Sequence, residues 1–459
     1  MKRRPRFVSK LTNRIQKIAS NNKSKSGPHI NYLPSELLLK IFEYLSPSDI
    51  LRCARTCKLW LEECNQNDLW RQQFRKLPGK VQKFSLEAKK PTENINWKRE
   101  TITCLKKSRK KHVSMLMKKK SRYSGLPEKT TETIRYLDVQ WAAVITDTEG
   151  NDYTLLSKEA TYYTTSLSVC WNDIDLPPVG RLASCRIFAQ CPVFQNSIDA
   201  AQKDSAFTRS LMAEVSLKGS AFDQTHLLGK DYHVSSYAPL TDLVFGLWHD
   251  DITQHRNIAF ITLNRHFLNI IDNLLNGTSA RMYAIPQHEP ILDDLDGKYG
   301  LQRYSALIEL RTSRKLLWNH KVMEFLKGHV EDGYLIMTDE RAAYQSCFDI
   351  HKPLSLPWKA GAIKGVIQNL AVLDFSLIDS NGEFIWHTSK PIRATPDHTI
   401  EVNFESETSE NFQMVLNDEE KGTTTLSIAV DPETECCAVR RIEIRLKTSY
   451  INVWFGTSY

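Results

Sequence analysis

Residues 31–75, NYLPSELLLKIFEYLSPSDILRCARTCKLWLEECNQNDLWRQQFR, constrain this chain more than any other stretch. Leu33-Pro34 opens a helix, and proline suits a first helical position because no N–H is needed there. Glu36 falls in the first turn, where the helix dipole favours an acid. Leu37, Leu38, Ile41, Phe42 and Leu45 follow at i, i+1, i+4, i+5 and i+8 and make one wide apolar face. A second start comes at once, with Ser46 as cap, Pro47 at the first position and Asp49 three residues after the cap. Ile50, Leu51, Ala54 and Cys57 then share a face. A third helix carries Trp60, Leu61 and Cys64. Asn67 is expected to cap a last turn in which Trp70 and Phe74 pair at i, i+4. A unit this small buries little core of its own. Its wide stripes imply burial against another molecule or against the rest of the chain, and periodicity alone leaves both open.

The series Leu33-Pro34-x-Glu36-Leu37-Leu38-x-x-Ile41-Phe42-x-x-Leu45, then Leu51, Cys57, Trp60 and Leu69-Trp70, resembles the F-box. Thr56 departs from the pattern, which usually has an aliphatic residue before the Cys. The resemblance implies docking on the S-phase-kinase-associated adaptor of a cullin scaffold with a RING subunit. The chain would then be the substrate receptor of a ubiquitin ligase. Leu33, Pro34, Glu36, Leu37, Leu38, Ile41, Leu45, Leu51 and Trp60 are the residues expected to dock on the adaptor or to support that interface.

The expected order is a basic tail (1–29), the F-box (30–76), a basic helical connector (77–122) and a β-rich domain (123–459) that receives a protein substrate. At 459 residues, with 41% hydrophobic and 25% charged residues, the chain has length for two or three domains. No run of 18 apolar residues marks a membrane span, and the first residues lack a signal-peptide core. The ten cysteines (53, 57, 64, 104, 170, 185, 191, 347, 436 and 437) are scattered and form no C-x-x-C pair. That suits a reducing compartment, cytoplasmic or nuclear, and speaks against a disulfide framework or a zinc module.

Charge is local. Residues 1–35 hold nine Lys and Arg and no acid, and residues 98–122 hold eleven and one acid. With a net charge of +8 overall, the remainder carries −11, so the pI of about 8.8 does not argue for nucleic-acid binding by the whole protein. Lys2 to Arg6, with the weak amphipathic run Leu11, Ile15 and Ile18, reads as an import address, a mitochondrial presequence, a lipid-touching segment or a solvated tail. The F-box resemblance lowers the mitochondrial option. Beyond the breaker Leu77-Pro78-Gly79, Trp97, Thr101 and Leu105 share a helical face. Lys106, Lys107, Arg109, Lys110 and Lys111, then Lys118, Lys119, Lys120 and Arg122, form two basic runs. With only His112 among them, no stacking platform for bases is evident. A solvated spacer helix competes with an import signal and a nucleic-acid contact.

Beyond Tyr123-Ser124-Gly125-Leu126-Pro127 the period becomes two. Leu167/Val169/Trp171, Leu243/Phe245/Leu247, Ala259/Ile261/Leu263, Leu426/Ile428/Val430 and Ile442/Ile444/Leu446 each read as a strand with one buried face. Asp147 to Asn151 and Asp379 to Gly382 are hairpin turns, the second joining Leu373/Phe375/Leu377 to Phe384/Trp386. One helix is expected over Phe267, Ile270, Ile271, Leu274 and Leu275, stopped by Asn276-Gly277. The class is therefore α+β, with an antiparallel sandwich or open barrel after the helices. No internal repeat points to a leucine-rich or propeller domain. Residues 123–127, Leu292 to Leu301 and the ending Ile451 to Tyr459 bring a closer likeness to one member of the F-box family.

No phosphate loop, dinucleotide fingerprint, nucleophile elbow or H-E-x-x-H is present. His249, Asp250, Asp251 and His255 read as a polar turn rather than a metal site, and Cys185 and Cys191 as buried strand thiols. No cysteine stands in a context that would activate it for ubiquitin transfer. Asn276-Gly277-Thr278 matches a glycosylation acceptor, without meaning in a cytosolic protein. The reading is a non-catalytic receptor without cofactor or metal, in which a nucleic-acid partner is not expected. Two alternatives stay open: a ligand-binding or enzymatic β domain recruited by the F-box, and a nucleic-acid-linked receptor using residues 98–122.

Overall fold

A computed structural model describes residues 30–85, 95–121, 124–157, 159–172, 174–191, 208–249, 256–271, 274, 298–325, 328–339, 348–349, 354–397, 410–431 and 436–459. The basic tail, Arg122, Tyr123, Asp250, Asp251, His255, the 275–278 stop and glycosylation signals and Leu292 to Asp296 lie outside the described residues. The chain forms two compact units, Met1–Ser108 and Arg109–Tyr459.

The first unit is helical: α1 (Ser35–Glu43), α2 (Pro47–Cys53), α3 (Lys58–Cys64), α4 (Asn67–Lys76), the single turn α5 (Gly79–Gln82) and the first part of α6 (Trp97–Leu116). The second start signal forms as its sequence dictates. Ser46 caps α2 by accepting the Asp49 amide at 3.2 Å, and Pro47 fills the first position. Asn67 does not cap α4. It is the first helical residue, and its amide side chain instead accepts the Trp97 N–H at 2.9 Å and donates to the Ile95 carbonyl at 3.0 Å. A side chain with both donor and acceptor is used to anchor a second segment, so α4 starts without a side-chain cap.

The second unit begins with the rest of α6 and α7 (Thr130–Tyr136). Ten strands follow: β1 (Gln140–Asp147), β2 (Asp152–Leu156), β3 (Glu159–Tyr162), β4 (Ser166–Trp171), β5 (Leu182–Cys191), β6 (Thr208–Ser216), β7 (Leu227–Lys230), β8 (Val234–Leu240), β9 (Leu243–His249) and β10 (Arg256–His266). They form two antiparallel sheets, β2-β1-β5-β6 and β3-β4-β10-β9-β8-β7. These share one apolar core that includes Trp141, Ile145, Val169, Ile187, Phe245 and Leu263.

Twelve more strands complete the unit: β11 (Tyr304–Arg311), β12 (Leu316–Phe325), β13 (His329–Glu331), β14 (Tyr334–Asp339), β15 (Phe348–Asp349), β16 (Ser355–Ala360), β17 (Ile363–Gln368), β18 (Leu370–Ile378), β19 (Phe384–Pro396), β20 (Glu410–Asp418), β21 (Gly422–Asp431) and β22 (Cys436–Lys447), followed by α8 (Thr448–Phe455). The large sheet runs β12-β11-β18-β19-β20-β21-β22-β14-β13, with β15 also on β22, and β16-β17 is a separate hairpin. The large sheet curls until β12 lies beside β14. It encloses a second core with Ile308, Phe375, Trp386, Leu426, Ile444 and Phe455. The β-rich half is thus a two-sheet sandwich followed by an open barrel, all antiparallel.

Both expected hairpin turns are present. The Asp147 carboxylate accepts the amides of Glu149 and Asn151, and that of Asp379 accepts those of Asn381 and Glu383. On β22, Ile442, Ile444 and Leu446 enter the barrel core, while Arg441 and Arg445 on the other face both bond Glu443 at 2.6 Å.

Two expectations fail for one reason, the β-bulge. Ladder shifts between Ile258 and Phe260 turn Ala259 away from Ile261 and Leu263. A shift opposite Leu377 and Ile378 separates Phe384, which packs on the sandwich core, from Trp386, which enters the barrel. The helix expected from Phe267 begins as a 3-10 turn, Phe267–Asn269, and Ile270, Ile271 and Leu274 are buried in the sandwich core.

The face of β4 and β10 turned away from the sandwich core meets the outer face of β11, β18 and β19 through polar groups. Arg311 is wholly buried and bonds the Asp374 carboxylate through Nε at 2.5 Å. Its remaining nitrogens reach the Ser168 hydroxyl at 2.6 Å and the Ser389 hydroxyl at 2.9 Å. Ser166 and Ser389 in turn donate to Asp374, and the Tyr163 ring lies 4.3 Å from the guanidinium. His266 and Ser376 bond across the same layer at 3.0 Å, where burial lowers the His266 pKa to about 3 and keeps the ring neutral.

Candidate functional site

The sequence marked the helical module, and its packing explains what it leaves outside. Leu38 and Phe42 of α1, Ile50 and Leu51 of α2, Trp60 and Cys64 of α3 and Leu69, Trp70 and Phe74 of α4 are buried. Phe42 and Trp60 meet edge to face with ring centres 5.3 Å apart. The indole of Trp60 donates to Asn31 Oδ1 at 3.0 Å, and that of Trp70 to the Cys64 carbonyl at 2.7 Å. The end of α1 is tied to α4, since Gln73 and Lys76 both donate to the Glu43 carbonyl, which no helical N–H can reach. Near its start, Ser35 donates to Glu63 at 2.6 Å. α1 is therefore held at both ends.

The nine marked residues divide. Leu38, Leu51 and Trp60 belong to the interior and set the position of α1. Pro34, Glu36, Leu37 and Ile41 are exposed, and Leu33 and Leu45 half-buried. Leu37 at 48% exposure and Ile41 at 40% are large apolar side chains facing outward on a helix with its own core behind it. Tyr44, 90% exposed, extends their row at i, i+4, i+7, and Leu59 and Leu61 of α3 are exposed as well. Sequence reasoning missed these three. The spacing of Tyr44 from Leu37 and Ile41 was a readable signal, whereas Leu59 and Leu61 flank the buried Trp60 and gave none.

No side chain of this module is tuned for covalent chemistry. Burial pushes the Cys53 thiol up to about 11 and the Cys64 thiol up to about 12. In the β-rich unit burial also pushes Cys185 and Cys191 up to about 12. A thiol so raised is poorly suited to act as a nucleophile. Among the described residues no group of three or more His, Cys, Asp or Glu is arranged to hold a metal ion. No helix among them is long and apolar enough to cross a membrane.

Part of the basic connector is occupied by local packing. Arg109 donates to the Leu137 carbonyl at 2.5 Å and lies 6.0 Å from the Tyr136 ring. Burial lowers the pKa of Lys106, and Lys119 pairs with Glu128 at 2.9 Å.

Residues 30–76 match the family described as F-box-like. Over most of its length the chain is similar to F-box only protein 15. That of Macaca fascicularis is 25% identical over 450 residues, covering 93% of this chain and 100% of that protein. That of Homo sapiens is 24% identical over 447 residues, covering 93% and 85%. A shorter likeness, 47% over 47 residues, joins the helical module to F-box/WD repeat-containing protein 7 of Drosophila melanogaster, covering 10% of this chain and 4% of that protein.

Proposed function

We propose that this chain is the substrate-recognition subunit of a cullin-RING ubiquitin ligase. The F-box-like module docks on the S-phase-kinase-associated adaptor, and the β-rich unit holds a protein substrate. The observation that carries the reading is the outward apolar row Leu37, Ile41 and Tyr44 on a helix whose buried neighbours Leu38 and Phe42 already supply its own core. An adaptor that covers this row gains apolar burial without the module unfolding. The chain contributes no bond making. It acts by proximity, holding a substrate lysine where the charged ubiquitin carrier can reach it. Its setting is the cytoplasm or the nucleus, which fits its free, scattered thiols.

Co-purification of the adaptor with the full chain tests this. Wild type is expected to carry stoichiometric adaptor. Leu37→Ala and Ile41→Ala are each expected to weaken capture about tenfold, roughly 1.4 kcal/mol, with unchanged thermal stability because both side chains already face solvent. Leu38→Ala is expected to lower stability by about 2–5 kcal/mol, since it opens a core cavity. Absence of adaptor from the folded wild-type chain would end the ligase reading.

A further inference from the structure

Strand β19 meets its two neighbours unequally. From Phe384 to Arg393 it pairs with β18, but with β20 it pairs only at Ala394, Thr395 and Pro396. β20 continues to Asp418, paired there with β21 alone. Where β19 and β20 part, between residues 386–390 and 416–418, lies a cleft of about 570 Å³. That is the size of a ligand site.

The open edges carry backbone groups. Antiparallel strands turn successive residues' N–H and C=O to opposite sides. Ala394 donates toward the β18 side, to the Asn369 carbonyl at 2.8 Å. Stepping back by twos, the N–H and C=O of His387 and Ser389 face the cleft. Pro391, with no N–H to offer, falls on the same side, where proline is tolerated. Across the cleft, Thr395 opposite Gln413 sets Val415 and Asn417 toward the opening.

The side chains lining the cleft leave positive charge to spare. Asp242 is taken by Arg265, and Asp418 accepts the amides of Glu420 and Lys421 at 3.0 and 3.1 Å. The amines of Lys390 and Lys421 hydrogen-bond to no described residue, and that of Lys421 stands 5.9 Å from the Tyr450 ring. His387 is buried. Its Nε2 faces Asn269 Oδ1 at 3.1 Å, and its Nδ1 has no partner among the described residues. With Nε2 donating, Nδ1 is a bare acceptor awaiting a donor.

We propose that this cleft is a peptide-binding seam, in which an extended polypeptide segment adds its backbone to the open edge of β19 and sets an acidic side chain between Lys390 and Lys421. Unpaired main-chain groups supply affinity and the two lysines supply selectivity. That the segment belongs to the substrate rests on the receptor reading; that the seam binds such a peptide does not.

Panning a phage-displayed library of short random peptides against the full chain, followed by synthesis of the selected sequences, tests this. Enriched peptides are expected to share one Asp or Glu. Amide exchange at His387, Ser389, Val415 and Asn417, fast in the free chain, is expected to slow when peptide binds. Lys390→Glu/Lys421→Glu is expected to weaken binding about tenfold or more, and panning against it to select Lys or Arg instead. Asn417→Pro, which removes an N–H that no sheet bond uses, gives a second variant that spares the charges. Absence of enriched peptides, binding that leaves those four amides unchanged, or binding displaced by free glutarate alone would each overturn the seam. Adaptor capture, measured on the same variants, is expected to persist, so a failed seam and a failed receptor reading give different results.

Discussion

Replacing Arg311 with alanine is expected to destabilise the β-rich unit by about 3–5 kcal/mol, because it leaves Asp374 charged and uncompensated in a dry layer. Both side chains are wholly buried, and the arginine is also the donor for Ser168 and Ser389. The loss therefore reaches β4, β11, β18 and β19 together. Asp374→Ala strands the opposite charge and is expected to cost about as much. Arg311→Met/Asp374→Leu, which removes both charges and keeps the volume, is expected to cost far less than the sum of the two single changes. It does not reach zero, since Ser166, Ser168 and Ser389 lose their partners. Urea titration of the full chain, read by hydrogen exchange in β11 and β18, measures these differences. A cost below about 1 kcal/mol for Arg311→Ala would show that the layer rearranges or admits water.

The helical module was legible because its signals are local. Ser46, Pro47 and Asp49 fix the start of α2 within one turn, and the stripe Leu38, Phe42 is a property of one helix. The division between Leu38 inside and Leu37 outside was not legible. Both sit on the apolar side of one helix, and only the position of α3 and α4 decides which is covered. In the β-rich half, alternation found strands such as β22, where pairing is regular along Ile442, Ile444 and Leu446. It failed at Ala259 and Phe384, where one extra residue reverses the face and leaves no mark in composition. The Arg311 layer was invisible for a different reason. Ser166, Ser168 and Asn264 alternate with apolar residues just as a solvent-facing set would, and nothing in the pattern tells water from a second sheet. The open edge of β19 depends on a ladder that stops early, which the sequence signals only through Pro391.

Glu309→Gln is expected to stabilise the chain by about 3 kcal/mol near pH 8 and to have little effect near pH 4. Glu309 lies on β11 beside Arg311 and is wholly buried, with no well-formed hydrogen bond to either carboxylate oxygen among the described residues. Burial lifts its pKa from 4.5 to about 7. The Asp374 charge adds to the rise, and the nearby Thr164 hydroxyl and Arg311 guanidinium oppose it. Below 4.5 the folded and unfolded chains both hold the proton, and stability owes nothing to this group. Between 4.5 and about 7 the unfolded chain releases its proton while the folded chain retains it. The folded state then binds more protons, so stability falls as pH rises, and the loss is complete above about 7. An amide cannot ionise, so the variant removes this slope, and what it gains over the wild type should grow with pH across that window. Urea midpoints of both proteins at several pH values between about 4 and 8 give the difference directly. A constant difference over the range would mean that Glu309 ionises at its ordinary pKa, with water or a rearranged Arg311 beside it. A growing difference would make this carboxyl a proton-linked weak point in the layer that joins sandwich to barrel.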